Sequence, residues 1–161
     1  MFYRGSKVQT KGSSQWYFEK IEKVFSSSKL EHKNYKTFEY PNFKVVPTKV
    51  VDVDVSLCED FVRISTSDKK QIICTSDEVL MTVNGPMSVE ALILDFRSHT
   101  EVGRIRLCTV TRRRFLQPVI IDYEPVGYGE GYDIKINSHN PLVVNNFLVC
   151  NKYAEEGKNE L

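Results

Sequence analysis

The spacing of apolar residues changes at about residue 37, and this change restricts the fold of the 161-residue chain more than any other feature. From Thr37 onward apolar side chains recur at every second position, as in residues 51–57, where Val and Leu alternate with Asp and Ser. A period of two is that of a β-strand with one buried face and one face in water. The pattern therefore predicts a mainly β fold for most of the chain.

Further short runs rich in β-branched residues follow, separated by turn residues such as Asn84-Gly85-Pro86. They lie at residues 61–64, 71–75, 78–83, 103–110, 115–123, 132–137 and 142–150. Eight or nine short strands at intervals of about ten residues are typical of an antiparallel sandwich or barrel-like body. Residues 88–96 fit either a strand or a short capped helix, and we favour a strand.

Before the strands, apolar residues follow the helical period. Ser14 is a candidate N-cap, and Tyr17, Phe18, Ile21 and Val24 share one face of a helix over residues 14–25. We therefore predict one N-terminal amphipathic helix and three regions. These are a basic N-terminal arm and helix (1–36), a β-rich domain (37–153) and an acidic tail (154–161).

The charges are divided unevenly along the chain. Residues 1–49 contain ten Lys or Arg and four Glu, a net charge of +6, whereas residues 50–161 carry a net charge of −5. A basic segment before a mildly acidic body is typical of a protein that binds a polyanion. The residues predicted to bind it are Arg4, Lys7, Lys11, Lys20, Lys23, Arg112, Arg113 and Arg114.

Two groups of aromatic residues are candidates for an interaction surface. The first group is interleaved with the basic residues, and the second flanks the glycine-rich segment 125–132, which we interpret as a loop between strands. The residues are Trp16, Tyr17 and Phe18, and Tyr123, Tyr128 and Tyr132. Burial of the helix aromatics in the core is the alternative for the first group.

No residue pattern indicates catalysis. The three histidines have no metal-ligand spacing, and the glycine-rich segment runs toward a predicted strand rather than the helix that a phosphate site needs. Asp52 and Asp54 share the polar face of one strand, which is explained more simply by contact with water. We predict that the chain is not an enzyme and has no cofactor or metal.

The overall plan, a basic front segment and a β-rich body, resembles that of small structural proteins of RNA viruses. These are jelly-roll coat proteins and the matrix proteins of negative-strand viruses, among which those of plant-infecting rhabdoviruses are closest in size. The chain lacks the Pro-Pro-x-Tyr and Pro-Thr-Ala-Pro budding motifs that animal rhabdovirus matrix proteins often carry. The resemblance implies a self-associating, virion-located matrix protein that bridges nucleoprotein or RNA and an anionic membrane.

Two alternative functions remain open from the sequence. One is a coat-type protein that packages RNA, and the other is a monomeric β-sandwich module that binds a protein or a lipid. The four widely spaced cysteines lie in apolar runs and indicate free thiols, so we expect a reducing, cytoplasmic compartment.

Overall fold

The computed structural model describes residues 1–11, 16–26, 34–39, 42, 44–111 and 114–150. The protein is mainly β, with antiparallel strands, as predicted. The first strands are β1 (Phe2–Tyr3), β2 (Lys7–Lys11), β3 (Trp16–Lys20), β4 (Tyr35–Glu39), β5 (Lys44–Thr48), β6 (Val50–Thr66) and β7 (Gln71–Thr75). They are followed by β8 (Val79–Thr82), β9 (Gly85–Ser88), β10 (Thr109–Thr111), β11 (Arg114–Leu116), β12 (Ile120–Ile136), β13 (Leu142–Val144) and β14 (Phe147–Val149). The helices are α1 (Ile21–Ser26) and α2 (Val89–Ser98), and Glu101–Gly103 forms a short 3-10 turn.

The strands form a closed barrel and a ten-stranded sheet. In the barrel, β6 and β12 pair along almost their whole length, and β1 lies between β12 and β7. In the second sheet the order β11-β10-β14-β13-β2-β4-β5 is extended by β3, β8 and β9. The first strand of the chain therefore closes the barrel that the two longest strands build.

One large cluster of buried side chains joins the two sheets. Its fully buried members include Val8 on β2, Ile64 on β6, Ile72 on β7 and Val144 on β13. A smaller cluster around Phe38 lies on the other side of the second sheet. Because β2 contributes Val8 to the core, this segment packs as part of the β structure.

The predicted N-terminal helix over residues 14–25 is wrong. Residues 16–20 form strand β3, whose five positions pair with β2 from Lys11↔Trp16 to Lys7↔Lys20. Only Ile21–Ser26 is helical. The apolar residues fit the helical period, but pairing with β2 satisfies the backbone of the first half in a sheet instead.

Two further local predictions are also wrong. For residues 88–96 we favoured a strand over a short capped helix, but Val89–Ser98 form helix α2, at whose start the Ser88 hydroxyl accepts a hydrogen bond from the Ala91 amide at 3.1 Å. The glycine-rich segment 125–132, predicted as a loop, is the middle of β12. The division into regions 1–36, 37–153 and 154–161 stays a prediction, and residues 154–161 lie outside the described part of the chain.

Across the described segments, no helix combines the length and the apolar character that a membrane-crossing helix requires.

Candidate functional site

The barrel holds the first residue of the chain at a site rich in carboxylates. The amino nitrogen of Met1 lies 2.5 Å from Glu78 Oε1 and 3.3 Å from Asp133 Oδ1, and it donates a hydrogen bond of 2.7 Å to the Thr75 hydroxyl. Asp77 lies further away, at 3.9 Å. One ammonium group therefore has three carboxylates around it.

The strands bring these groups together from distant parts of the sequence. Thr75 ends β7, Glu78 lies in the turn that leads to β8, and Asp133 lies on β12. The Thr75 amide donates to the Met1 carbonyl at 2.9 Å, which ties the first residue to the end of β7. The site therefore fixes both the nitrogen and the carbonyl oxygen of residue 1.

Glu78 and Asp133 are largely removed from water. The Glu78 side chain is 3% exposed and that of Asp133 is 11% exposed. A buried carboxylate is strongly destabilising unless a positive charge or hydrogen bonds compensate it. The Met1 ammonium supplies such a charge, so this site is electrostatically complementary to a cationic nitrogen.

The Thr75 hydroxyl is engaged on both sides. It accepts the hydrogen bond from the Met1 nitrogen and donates one to Asp77 Oδ1 at 2.5 Å. The Met1 nitrogen, the Thr75 hydroxyl and the Asp77 carboxylate are therefore linked by two consecutive hydrogen bonds.

The side chain of Met1 lies against β6. Its sulfur accepts hydrogen bonds from the Ser56 hydroxyl at 3.2 Å and the Cys58 thiol at 3.4 Å. A thioether has no hydrogen to donate. The residue at the centre of the site is therefore held in place, but its own side chain offers no hydroxyl or thiol for chemistry.

Tyr132 precedes Asp133 on β12 and lies directly opposite Phe2 of β1. Burial, together with a hydrogen bond from its hydroxyl to Glu130 and the negative charge of that residue, raises the pKa of Tyr132 to about 12. The phenol therefore stays neutral beside Glu130. Within the described residues, no group of three or more His, Cys, Asp or Glu side chains could hold a metal ion.

The structure does not bring the predicted polyanion-binding residues to this site. Arg4, Lys7, Lys11, Lys20 and Lys23 are exposed on β2, β3, α1 and the turn after β1, and Arg4 lies 3.8 Å from Glu22. Arg114 is exposed at the start of β11, while Arg112 and Arg113 lie outside the described residues. The assignment of these side chains to a polyanion stays a prediction.

The six aromatic residues predicted to form a surface lie in different environments. Phe18 and Tyr128 are exposed, Trp16 and Tyr123 are half-buried, and Tyr132 is buried in the barrel. The side chain of Tyr17 is not among those described. Tyr132 thus belongs to the core, whereas Tyr123 packs edge-to-face on Phe96.

Sequence reasoning missed the residues that form the site, namely Met1, Thr75, Glu78 and Asp133. The sequence contains an indication for Glu78 and Asp133 only. Glu78 directly precedes the apolar run 79–83, and Asp133 lies between Tyr132 and Ile134, so each acid adjoins residues that a strand buries. An acid in such a position requires a partner, although the sequence does not reveal that the partner is the first residue.

Comparison with solved structures gives matches over nearly the whole chain. The DnaB intein from Synechocystis has a TM-score of 0.72 at 12% identity, and the match covers 94% of this chain and 97% of that one. The transcription factor IIB Mvu mini-intein has a TM-score of 0.73 at 16% identity, covering 93% and 98%. A bacterial intein-like domain from Clostridium thermocellum has a TM-score of 0.68 at 15% identity, covering 93% and 97%. The chain therefore has the intein fold.

Comparisons at the level of sequence find nothing similar. No family model matches the chain, and no curated protein matches it.

The fold overturns the predicted viral role. The resemblance to matrix and coat proteins of RNA viruses is wrong, because the structural neighbours are inteins or intein-like domains. The prediction of a self-assembling virion protein that bridges nucleoprotein or RNA and membrane is wrong for the same reason, and its alternatives fit no better. A basic front segment on a β-rich body does not distinguish these folds.

Proposed function

We propose that this chain is a self-contained domain of the intein type that holds the backbone of its own residue 1 and does not splice. The observation that carries the proposal is the position of the Met1 nitrogen between the carboxylates of Glu78 and Asp133 and on the hydroxyl of Thr75. The structural neighbours are inteins, which are protein-splicing domains. In this chain the site binds the nitrogen of the first residue and thereby closes the barrel.

The side chain that the structure places at this site, a thioether, is the reason for proposing that splicing does not occur. To excise a segment of chain, the peptide bonds at its edges must be broken, and transfer of an acyl group needs an activated hydroxyl, thiol or amine. The thioether of Met1 cannot accept an acyl group as a stable ester or thioester. This keeps the expectation from the sequence that the chain is not an enzyme.

A second candidate function is self-cleavage before residue 1 in a chain where another segment precedes it. The favouring observation is the row formed by the Met1 nitrogen, Thr75 Oγ and Asp77 Oδ1, at 2.7 and 2.5 Å. Thr75 Oγ would attack the preceding carbonyl carbon as its proton passes to Asp77. The C–N bond would then break as Asp77 passes this proton to the nitrogen of Met1, which leaves as an amine, and water would hydrolyse the ester to a carboxylic acid and the free Thr75 hydroxyl.

A fusion protein distinguishes a domain that only holds residue 1 from one that cleaves the chain before it. A folded reporter is placed before Met1 through a flexible linker, and the intact mass is followed over days. We expect the fusion to stay whole. Release of the reporter with a new amino terminus at Met1 would overturn the proposal in favour of self-cleavage, and Thr75→Val would then have to abolish it, whereas Thr66→Val on β6 would not.

A further inference from the structure

The side chain of Met1 belongs to a second cluster, separate from the carboxylates around its nitrogen. Met1 Sδ lies 3.2 Å from Ser56 Oγ and 3.4 Å from Cys58 Sγ. The Ser56 oxygen and the Cys58 sulfur are themselves 3.7 Å apart. Two sulfur atoms and one oxygen atom therefore form a nearly equilateral triangle, and we call these three residues the sulfur cluster.

Glycines on the neighbouring strand leave room for the sulfur cluster. On β12, Gly131 lies opposite Ser56, and Gly129 lies opposite Cys58. A Cβ atom built on Gly131 would stand only 3.2 Å from Met1 Sδ. The Met1 sulfur thus lies over a position without a side chain, and it faces β6 from there.

The sulfur cluster is open to water on one side. Ser56 is exposed, and Met1 and Cys58 are half-buried. On the inner side lies Phe61, whose buried ring would be 2.7 Å from a Cβ atom on Gly131. A small ion can therefore reach the three atoms from solvent while the barrel stays closed.

The types of ligand atom in the cluster select a soft ion. Thiolate and thioether sulfur favour copper(I), whereas magnesium and calcium favour oxygen ligands. Two ligand atoms that bind one ion at about 2.3 Å, the length of a zinc–sulfur bond, lie about 3.3–4.0 Å apart at angles of about 90–120°. The separations of 3.2, 3.4 and 3.7 Å in the sulfur cluster correspond closely to three ligands around one ion.

The contacts that such an ion would replace are weak. The Cys58 thiol and the Ser56 hydroxyl both donate to the Met1 thioether. A thiol is a weak donor, and a thioether is a weak acceptor. Replacing the thiol hydrogen by a metal ion therefore removes little stabilisation.

The charges on β6 around the cluster favour a cation. Residues 50–60 contain four acidic side chains and no Lys or Arg. The acids are Asp52, Asp54, Glu59 and Asp60, and all four are exposed. A surface of one sign raises the local concentration of ions of the opposite sign, so cations accumulate beside the sulfur cluster.

We propose that the sulfur cluster is a copper(I) site, in which Cys58 Sγ and Met1 Sδ are the principal ligands and Ser56 Oγ is the third. The thiol gives its proton to water as the bond from sulfur to copper forms, and the copper stays in the same oxidation state. This site uses the sulfur of residue 1 and not its nitrogen, so it does not rest on the proposed function. The ion joins residue 1 to β6 and so stabilises the closed barrel.

The first test is titration of the intact chain with copper(I) under argon, in competition with the chelator bicinchoninate. We expect the wild type to withdraw one copper(I) ion per chain from the chelator. Cys58→Ser should weaken this binding about tenfold or more, because a hydroxyl is a poor ligand for a soft ion. Cys150→Ser, which alters another half-buried cysteine, should leave it unchanged. Equal affinities for the wild type and Cys58→Ser would overturn the proposal.

The second test removes the thioether. Met1→Leu, released from an amino-terminal fusion by a protease that leaves the native start of the chain, keeps the nitrogen beside Glu78 but has no sulfur. The two side chains are similar in volume, so the variant should fold, which circular dichroism checks. Its affinity for copper(I) should fall about tenfold. Binding as tight as that of the wild type would show that Cys58 acts without residue 1 and would overturn the proposal.

Discussion

Gly129 lies directly beneath the ring of Tyr3. A Cβ atom built on Gly129 would stand 2.3 Å from Tyr3 Cε2, far inside van der Waals contact. The next glycine along, Gly131, has the same relationship to Phe61 at 2.7 Å and to the Cβ of Met1 at 3.0 Å. Gly129 and Gly131 therefore leave the space that Tyr3, Phe61 and Met1 occupy.

Gly129→Ala is expected to displace β1 and to destabilise the protein by about 1–3 kcal/mol, the range for overpacking in a closely packed region. The sign of this change in the free energy of unfolding is informative. Where the backbone can accommodate it, alanine in place of glycine stabilises a protein by restricting the unfolded chain. Urea unfolding followed by circular dichroism measures the effect.

A double-mutant cycle tests what causes the loss of stability in Gly129→Ala. If the clash with Tyr3 is responsible, Gly129→Ala should cost much less in a Tyr3→Ala background than in the wild type. Equal costs in both backgrounds would show that the ring of Tyr3 is not what requires glycine.

The alternation of residues in 51–57 and 132–137 was sufficient to predict a mainly β, antiparallel fold. It was not sufficient for the path of β12. Gly127, Gly129 and Gly131 suggest a loop because glycine is disfavoured in strands. Gly127 is required by its positive φ of 89°, whereas Gly129 and Gly131 are required by the close approach of Tyr3, Phe61 and Met1, which are remote in sequence.

The prediction of a helix over residues 14–25 failed because the period of apolar residues alone does not include tertiary pairing. Residues 16–20 carry a helix-like pattern, but β2 provides a partner strand for their backbone. For the site, Thr75 and Glu78 are three residues apart, but long stretches of chain separate them from Met1 and from Asp133, and no local motif connects the three parts. Only the closure of the barrel by β1 makes them neighbours.

Glu78→Gln should destabilise the protein by about 3 kcal/mol or more, because it removes one buried partner of the Met1 ammonium while retaining the shape of the side chain. Asp77→Asn is the matched control. Asp77 is 69% exposed and 3.9 Å from the nitrogen, so we expect a change within about 0.5 kcal/mol. Similar losses for both variants in chemical denaturation would contradict the dominant role of Glu78.

Acetylation of the Met1 amine in the 161-residue chain should also destabilise the fold. The amide carries no charge, so Glu78 and Asp133 would lose their compensating cation. Hydrogen exchange of the β1 and β7 amides, compared between acetylated and free chains, should show faster exchange after acetylation. In the Glu78→Gln background acetylation should cost less than in the wild type, since the two changes remove the same interaction; strict additivity would refute the contact.

Tyr132 is expected to ionise well above the pH range of an ordinary phenol. Its pKa is raised to about 12, so the folded state retains this proton more tightly than the unfolded chain, whose tyrosines ionise near about 10. The stability that this contributes is complete below about pH 10 and is lost as the pH rises toward about 12. In a titration of absorbance at 295 nm, Tyr132→Phe should remove the late phase, whereas Tyr128→Phe should leave it.

The lowered pKa of Asp68 predicts how the free energy of unfolding changes at acid pH. Burial by itself would raise the pKa of Asp68, but hydrogen bonds from Lys70 at 2.7 Å, from Thr109 at 2.6 Å and from Thr66 outweigh it and hold the pKa below its usual value. The folded state therefore favours the charged form. The stabilisation is present above the unfolded value of about 3.9 and is lost as the pH falls through the lower folded value.

Asp68→Asn should therefore destabilise the protein by about 3 kcal/mol near neutral pH, where it breaks a largely buried pair with Lys70. The difference in free energy of unfolding between the wild type and the variant should be constant above about pH 5 and shrink below about pH 4. Asp122→Asn, at an exposed position on β12, serves as the control and should follow the wild-type curve. A difference between wild type and Asp68→Asn that did not shrink in acid would mean that Asp68 stabilises the turn after β6 through its shape and not through its charge.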